Sequence, residues 1–597
     1  MPITPRHTPR PTAGSTPGPR TGARPPAATP RTPRLALAAA ALWAGLVAAP
    51  QAMAQQGLAG AYLAARHAQA FSDYEIAADY FTRALQGDPE NTALMEGAVG
   101  AYVGLGQVDK AAPLAERLAG RGTGSQLAAM VVLAERVHEN DWDAVLSALD
   151  DGLSVGPLFD GLVRAWSMVG QGRMQEALAE FDAVTETDGV RAFGLYHKAL
   201  ALASAGDYES AADILSDEDL RLGRRGVIAH AQVLSQLDRD AEGAAVIEDV
   251  FGGELDGGLE QLRDRLDAGE TVDYDIARTA QDGVAEVFFS ISNVLGGEAS
   301  EAYTLLYTRL TQYLRPDHVD SKLVTAGLLE QLDRHALAIE VYREVPRDDP
   351  SFDAAELGRA DALRRSGKND AAIEVLEQLT ETRPDLPLVF VTLGDALREM
   401  DRMDEAGAAY DKAVARFDGD QPNQWIVYFA RGITREKTGR WDEAESDFRK
   451  ALELQPDQPQ VLNYLGYSLV ERQENLDEAL EMIERAVAAR PDSGYIVDSL
   501  GWVLYRLGRY TEAVEPMEKA VELMPVDPVV NDHLGDVYWA VGRALEAQFQ
   551  WKRALSFVDE DSEEEAKPDR IRRKLEVGLD AVLEEEGADP LAQANEG

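Results

Sequence analysis

From residue 319 to residue 561 the chain repeats itself about every 34 residues, and few folds satisfy that constraint. Ala recurs at 338, 372, 406, 444, 479, 513 and 547, at intervals of 34, 34, 38, 35, 34 and 34. Leu-Gly recurs at 393–394, 465–466, 500–501 and 534–535, and Pro closes units at 350, 384, 456, 491 and 525. A period of this length marks a unit that cannot bury its apolar side alone and must stack on copies of itself. In the unit 494–527, Leu500, Gly501 and Leu504 mark one helix, and Ala513, Met517 and Ala520 mark a second. Spacings of three and four put each set on one face. Gly501 and Ala513 are small enough for the two helices to approach closely. Gly508 supplies the turn, and Pro525 ends the second helix before the next unit begins.

The Leu-Gly pair, the later alanines and the terminal Pro resemble the tetratricopeptide repeat (TPR) family. The resemblance covers 319–561 in nearly unbroken phase and weakens toward the N-terminus. There Ala77, Phe81, Ala84 and Pro89 fit one unit, Ala111 a second, and Ala177 with Phe181 and Ala211 with Leu215 two more. The stretches 124–157 and 224–257 match loosely. The resemblance implies an all-α fold, a TPR superhelical solenoid of about thirteen helix-turn-helix repeats. The expected domains are an N-terminal, partly degenerate block (55–257), an irregular linker or extra helices (258–284), and a C-terminal block (285–561) whose unit at 285–318 is atypical. Residues 562–597 read as an acidic loop, a capping helix and a disordered tail. Ile571, Leu575, Leu579 and Leu583 step by four and suit one amphipathic helix over the last repeat, whose core would otherwise face water.

Residues 1–54 carry six Arg and no acid, then the apolar run Leu35 to Ala49, then Ala52-Met53-Ala54. Those are the three parts of a cleavable secretory signal. The run is 15 residues long, short of the roughly 20 a spanning helix needs. The expectation is export to the periplasm or cell envelope, with a chain soluble after cleavage and without a stable membrane anchor. Beyond residue 54, 52 basic side chains face 104 acidic ones. That balance disfavours nucleic acid and anionic lipid as partners. The chain has no Cys, which excludes thiol nucleophiles, Cys-based metal centres and a lipidated Cys.

Local motifs argue against an enzyme. Gly152-Leu153-Ser154-Val155-Gly156 matches a nucleophile elbow, but that device needs a strand before it and a helix after it, and the preceding segment reads as helix. Asp238, Asp240, Glu242 and Gly243 resemble part of a calcium loop, yet the closing ligand is Asp249 and not Glu. In phase with the repeat this stretch is an inter-helix turn. No catalytic residue, cofactor or metal site is expected.

The residues left over after packing is assigned lie on first helices, which in the TPR architecture line the concave face. Trp502 and Tyr505 belong to one unit, Asp536 and Trp539 to the next, and Tyr467 to the one before. Asn463, Asp498 and Asp532 align one turn earlier. Together these eight form the expected partner-binding groove, since aromatics rimmed by polar groups concentrate binding energy. The same rings could instead pack between neighbouring first helices. The expected function is a non-enzymatic protein-interaction scaffold or adaptor. Overall length, the export signal and the run from Asn463 to Arg543 resemble long proteobacterial envelope TPR proteins, including adaptors of carboxyl-terminal processing proteases. Those adaptors are typically lipoproteins, and this chain lacks the Cys. The alternatives are an assembly or secretion component for envelope or polysaccharide export and, further off, a hydrolase centred on Ser154.

Overall fold

The computed structural model describes residues 59–591 apart from 188, 218, 253–254, 561 and 589–590. The segment read as a signal peptide and nearly all of the expected disordered tail lie outside the described residues. The described residues form an all-α solenoid of antiparallel helix pairs. In the N-terminal block the pairs are 59–70 with Tyr74–Gly87, Thr92–Gly104 with Val108–Ala119, Gln126–His138 with Trp142–Asp150, Pro157–Gly170 with Met174–Thr185, Arg191–Ser204 with Tyr208–Leu215, and Arg224–Ser235 with Asp240–Phe251. In the C-terminal block they are Val319–Gln331 with His335–Arg343, Phe352–Arg365 with Asn369–Thr382, Pro387–Glu399 with Met403–Val414, Trp425–Lys437 with Trp441–Leu454, Pro459–Arg472 with Leu476–Ala489, Gly494–Arg506 with Tyr510–Leu523, and Pro528–Ala540 with Ala544–Phe557.

The repeated small residues act by letting a large neighbour in. A Cβ on Gly501 would lie 2.5 Å from Met517 of the second helix, and one on Gly535 would lie 2.5 Å from the Trp551 ring. Met517, Trp551, Ala513, Ala520, Ala547 and Ala554 are all fully buried. The hairpin core is therefore a large side chain seated on a backbone that carries none, flanked by alanines.

Two features depart from the expected plan. After helix Gly257–Asp267 and the non-helical stretch 268–279, the pair Ala280–Leu295 and Glu301–Leu314 does more than stack as one further unit. It packs on the first helices of the N-terminal block, 92–104, 126–138, 157–170 and 191–204, and shares their hydrophobic core. Every residue from Thr304 to Thr311 is buried. A helix buried all round lies inside a molecule. The second departure is at the C-terminus, where the expected single capping helix is two helices, Pro568–Val577 and Leu579–Glu586. Gly578 separates them at φ 86°, a conformation open to glycine at little cost. A Cβ there would also stand 2.6 Å from the Trp539 ring.

Candidate protein-binding groove

First helices form the inner wall of the solenoid, and three stretches of that wall meet different fates. Over the N-terminal block it is filled. Phe288 meets Phe159 edge-on at 4.8 Å, and the Trp166 ring lies where a Cβ on Gly283 would be, 2.2 Å away. Trp166 Nε1–H donates to His197 Nδ1 at 3.1 Å, so Nε2 carries the proton of the neutral ring and reaches Ser290 Oγ at 3.2 Å. Burial holds His197 down at about 4, against a weaker upward pull from Glu286. Glu286 accepts Arg225 Nε–H on both carboxylate oxygens at 3.0 Å and the Tyr196 hydroxyl on one of them at 3.0 Å. Burial would raise its carboxyl, but Arg225 and His318 outweigh that and hold it well below the usual carboxylate range. Arg309 donates to the Gly104 carbonyl at 3.2 Å. Sequence reasoning missed this filling. The signal was there: 283–296 carries Glu286 as its one charge and 302–314 carries Arg309 as its one charge, in a chain that is 27% charged.

At the far end the expected groove residues are engaged by neighbouring helices. Trp502 stacks on His533 of the next first helix at 4.0 Å and on Tyr505 at 4.9 Å, and its Nε1–H donates to Glu471 at 2.7 Å. His533 Nδ1 lies 3.0 Å from Asp498. Burial would lower this histidine, but Asp498, Asp532 and Asp536 raise it above its ordinary value. Tyr505 is buried. Lys574 Nζ donates to Asp532 at 2.7 Å and to both Asp536 oxygens at 2.7 Å. Trp539 Nε1–H donates to Asp580 at 2.9 Å. The expectation of an open groove at Asp498, Trp502, Tyr505, Asp532, Asp536 and Trp539 is therefore corrected: rings pack between first helices, and the two aspartates hold a lysine from the chain's own C-terminus. Tyr467 is half-buried on helix 459–472.

Between these ends the wall is open. A cavity of about 680 Å³ lies across first helices 352–365, 387–399, 425–437 and 459–472. Its apolar surface comes from Val391, Ile426, Phe429, Ile433, Tyr464 and Tyr495. Ile426 is 55% and Tyr495 49% exposed, while Phe429 meets Tyr464 edge-on at 5.6 Å. The rim is charged, with Arg364 beside Asp361 and Glu399, and Arg398 beside Asp395. Of the eight expected residues, Asn463 lines this cavity; it is 8% exposed and its Oδ1 has no partner. A second cavity of about 770 Å³ adjoins the start of helix 352–365 and is walled by Phe193, Tyr196, Phe289, Leu323 and Val324. The first cavity was legible in the sequence as the stripe Ile426, Phe429, Ile433 on one helix face, a pattern without the acids that mark the 498–539 cluster.

The motifs set aside as structural are tied into turns. Ser154 donates to Asp160 at 2.5 Å in the loop before helix 157–170. Glu242 receives Arg239 at 2.9 and 2.7 Å, and Asp240 receives Ser235. Among the described residues no group of acids and histidines is arranged to hold a metal ion, and no helix is long and apolar enough to cross a membrane.

Stacked antiparallel helical hairpins define an α-solenoid. Models described as "Tetratricopeptide repeat" match residues 68–132, 162–219, 385–457, 429–494 and 469–528; the chain carries TPR repeats over these stretches, and TPR proteins are generally protein-interaction scaffolds. It is 30% identical over 184 residues to TPR repeat-containing protein PA4667 of Pseudomonas aeruginosa, covering 30% of each chain. It is 27% identical over 184 residues to human Tetratricopeptide repeat protein 13, covering 30% of this chain and 20% of that one. The chain thus spans less than a third of the length of either relative. Among solved structures it resembles the APC/C hetero-tetramer Cut9-Hcn1, at 14% identity and TM-score 0.35, over 86% of this chain and 95% of that one. It also resembles a tetratricopeptide repeat protein from Parabacteroides merdae, at 15% identity and TM-score 0.35, over 44% of this chain and 98% of that one.

Proposed function

We propose that the protein is a non-enzymatic scaffold that docks an apolar polypeptide segment of a protein partner in the open groove between helices 352–365 and 459–472. One observation carries this reading. Between the stretches of the inner wall that the chain's own helices cover, Ile426 and Tyr495 stand half-exposed over a cavity of about 680 Å³. A large apolar surface in a concave site is what a binding partner covers. Asn463 lines the same cavity. The paired charges of the rim select register more than affinity.

The composition of residues 1–54 supports placing this scaffold outside the cytoplasm, in the periplasm or envelope. The likeness of the 463–543 run to envelope adaptors supports a processing protease as the partner class. The test uses purified exported protein and a purified carboxyl-terminal processing protease, with binding followed by calorimetry. Ile426→Arg and Tyr495→Ala should each weaken binding by about tenfold or more, the cost of losing an interface anchor, with helical circular dichroism unchanged. Equal affinity of wild type and both variants would overturn the groove. Absence of any binding would overturn the protease as partner.

A further inference from the structure

The last unit holds a site that no role in folding requires in this form. Lys574 is fully buried and its ammonium reaches three carboxylate oxygens of Asp532 and Asp536 at 2.7 Å. Trp551 Nε1–H donates to Asp536 at 2.9 Å, and the lysine sits 5.8 Å from the Trp551 ring centre. Arg570 approaches Asp536 at 3.6 Å. The second oxygen of Asp532 is buried without a partner. This is a built ammonium pocket in the inner wall. As a simple lid, an apolar side chain of the same volume would serve as well or better, because a buried ion pair scarcely repays its own desolvation. What such a pair does supply is selection of its occupant: a segment that covers Asp532 and Asp536 without bringing a cation would bury two carboxylates unpaired.

The helix that carries Lys574 buries few residues of its own, and the short helix after it adds Leu579, Val582 and the bond from Trp539 to Asp580. On helix 568–577 the buried residues are Pro568, Ile571 and Lys574, against eight consecutive buried residues on helix 301–314. It is joined to the solenoid by the acidic stretch after Phe557 and is followed at once by the break at Gly578.

We propose that the inner face of the last unit is a receptor for a lysine-bearing amphipathic helix of a protein partner, and that residues 563–586 are its resident occupant, exchanged when that partner docks. This rests on the scaffold reading and adds a second, regulated contact beyond the open groove. The partner would present a lysine with an apolar residue one turn before it, as Ile571 stands to Lys574.

The test uses the full chain and, as probe, a fluorescein-labelled synthetic peptide of residues 562–587. Lys574→Glu in the protein should empty the pocket and raise peptide affinity at least tenfold over wild type, while a peptide carrying the same change should not bind. Equal affinity for wild type and variant would overturn the proposal. Should the variant lose its cooperative unfolding, hydrogen exchange of the wild type decides: amides of 568–586 exchanging faster than those of 528–557 support exchange, and exchange only together makes the helix an integral lid. A concentration-dependent dimer abolished by Lys574→Glu would put a second copy in the pocket and overturn the partner assignment. Ile426→Arg separates the two readings, because it should leave peptide capture unchanged while weakening partner docking in the open groove. Failure of the peptide with a persisting Ile426 effect leaves the scaffold standing and removes the exchange.

Discussion

The two halves of the inner wall hold helices of the same chain by opposite means. In the N-terminal block the occupant is an apolar pair, with Phe288, Leu305 and Leu310 fully buried and its charged residues satisfied by groups on the wall. In the C-terminal block it is two short helices that bury Ile571, Leu579 and Val582 and set a lysine between two aspartates. Burial of many apolar side chains gives stability that no competitor easily matches. An ionic anchor gives choice of occupant at little net stability. The same repeat thus makes a sealed core at one end and an addressable surface at the other.

The comparison breaks first at Phe288. Phe288→Ala should cost about 3–5 kcal/mol in urea unfolding, because the wall cannot collapse onto the space. A cost near that of a surface change would mean the filler is loosely held.

Next comes pH, which should act on the two halves with opposite sign. The unfolded imidazole titrates at 6.5, and His197 in the fold at about 4. Between those values the unfolded chain binds the extra proton, so stability is lost as pH falls from 6.5 toward 4, by up to about 3 kcal/mol. Protonation would also break the bond from Trp166, since Nδ1 is its acceptor. His230, likewise held at about 4 by burial and Arg239, adds in the same direction. His533 is raised instead, so its contribution is complete below 6.5 and lost as pH rises through its folded value. Unfolding followed by tryptophan fluorescence at pH 4.5, 5.5, 7 and 8.5, in wild type and His197→Phe, checks the first sign; His533→Gln checks the second. A single monotonic trend shared by all regions would sink the contrast.

A smaller effect belongs to Lys574→Met, which keeps the stem and removes the charge. It should cost about 1–3 kcal/mol, the price of buried acceptors left unsatisfied, and less if the helix lifts away and lets Asp532 and Asp536 meet water. Hydrogen exchange of 568–586 measures which happens. Smallest is Ile426→Ala, expected to change folding stability by within about 0.5 kcal/mol, because its side chain is 55% exposed. A large loss there would make the open groove part of the core.

Much of the hairpin was legible from local spacing. Gly501 under Met517, the alanines of the second helices and the turn at Gly508 follow from one period read along one unit. The candidate site was legible only in part. Asn463 lies at the open cavity, but Trp502 and Tyr505 pack against His533 and each other, and Asp532 and Asp536 are covered by a helix that the same spacing had assigned to a plain lid. A leftover aromatic on a first helix has two destinations, the groove or the next first helix, and the residue alone does not choose between them.

By itself the sequence determined the unit, because residues three, four and 34 apart meet through helix geometry and stacking wherever the chain goes. Which parts of the wall are filled was decided in three dimensions. Arg309 reaches Gly104 across 205 residues and Tyr313 reaches Glu135 across 178. Contacts at such separations leave no period in the chain; they exist only once the solenoid has curved far enough to bring its own later helices inside.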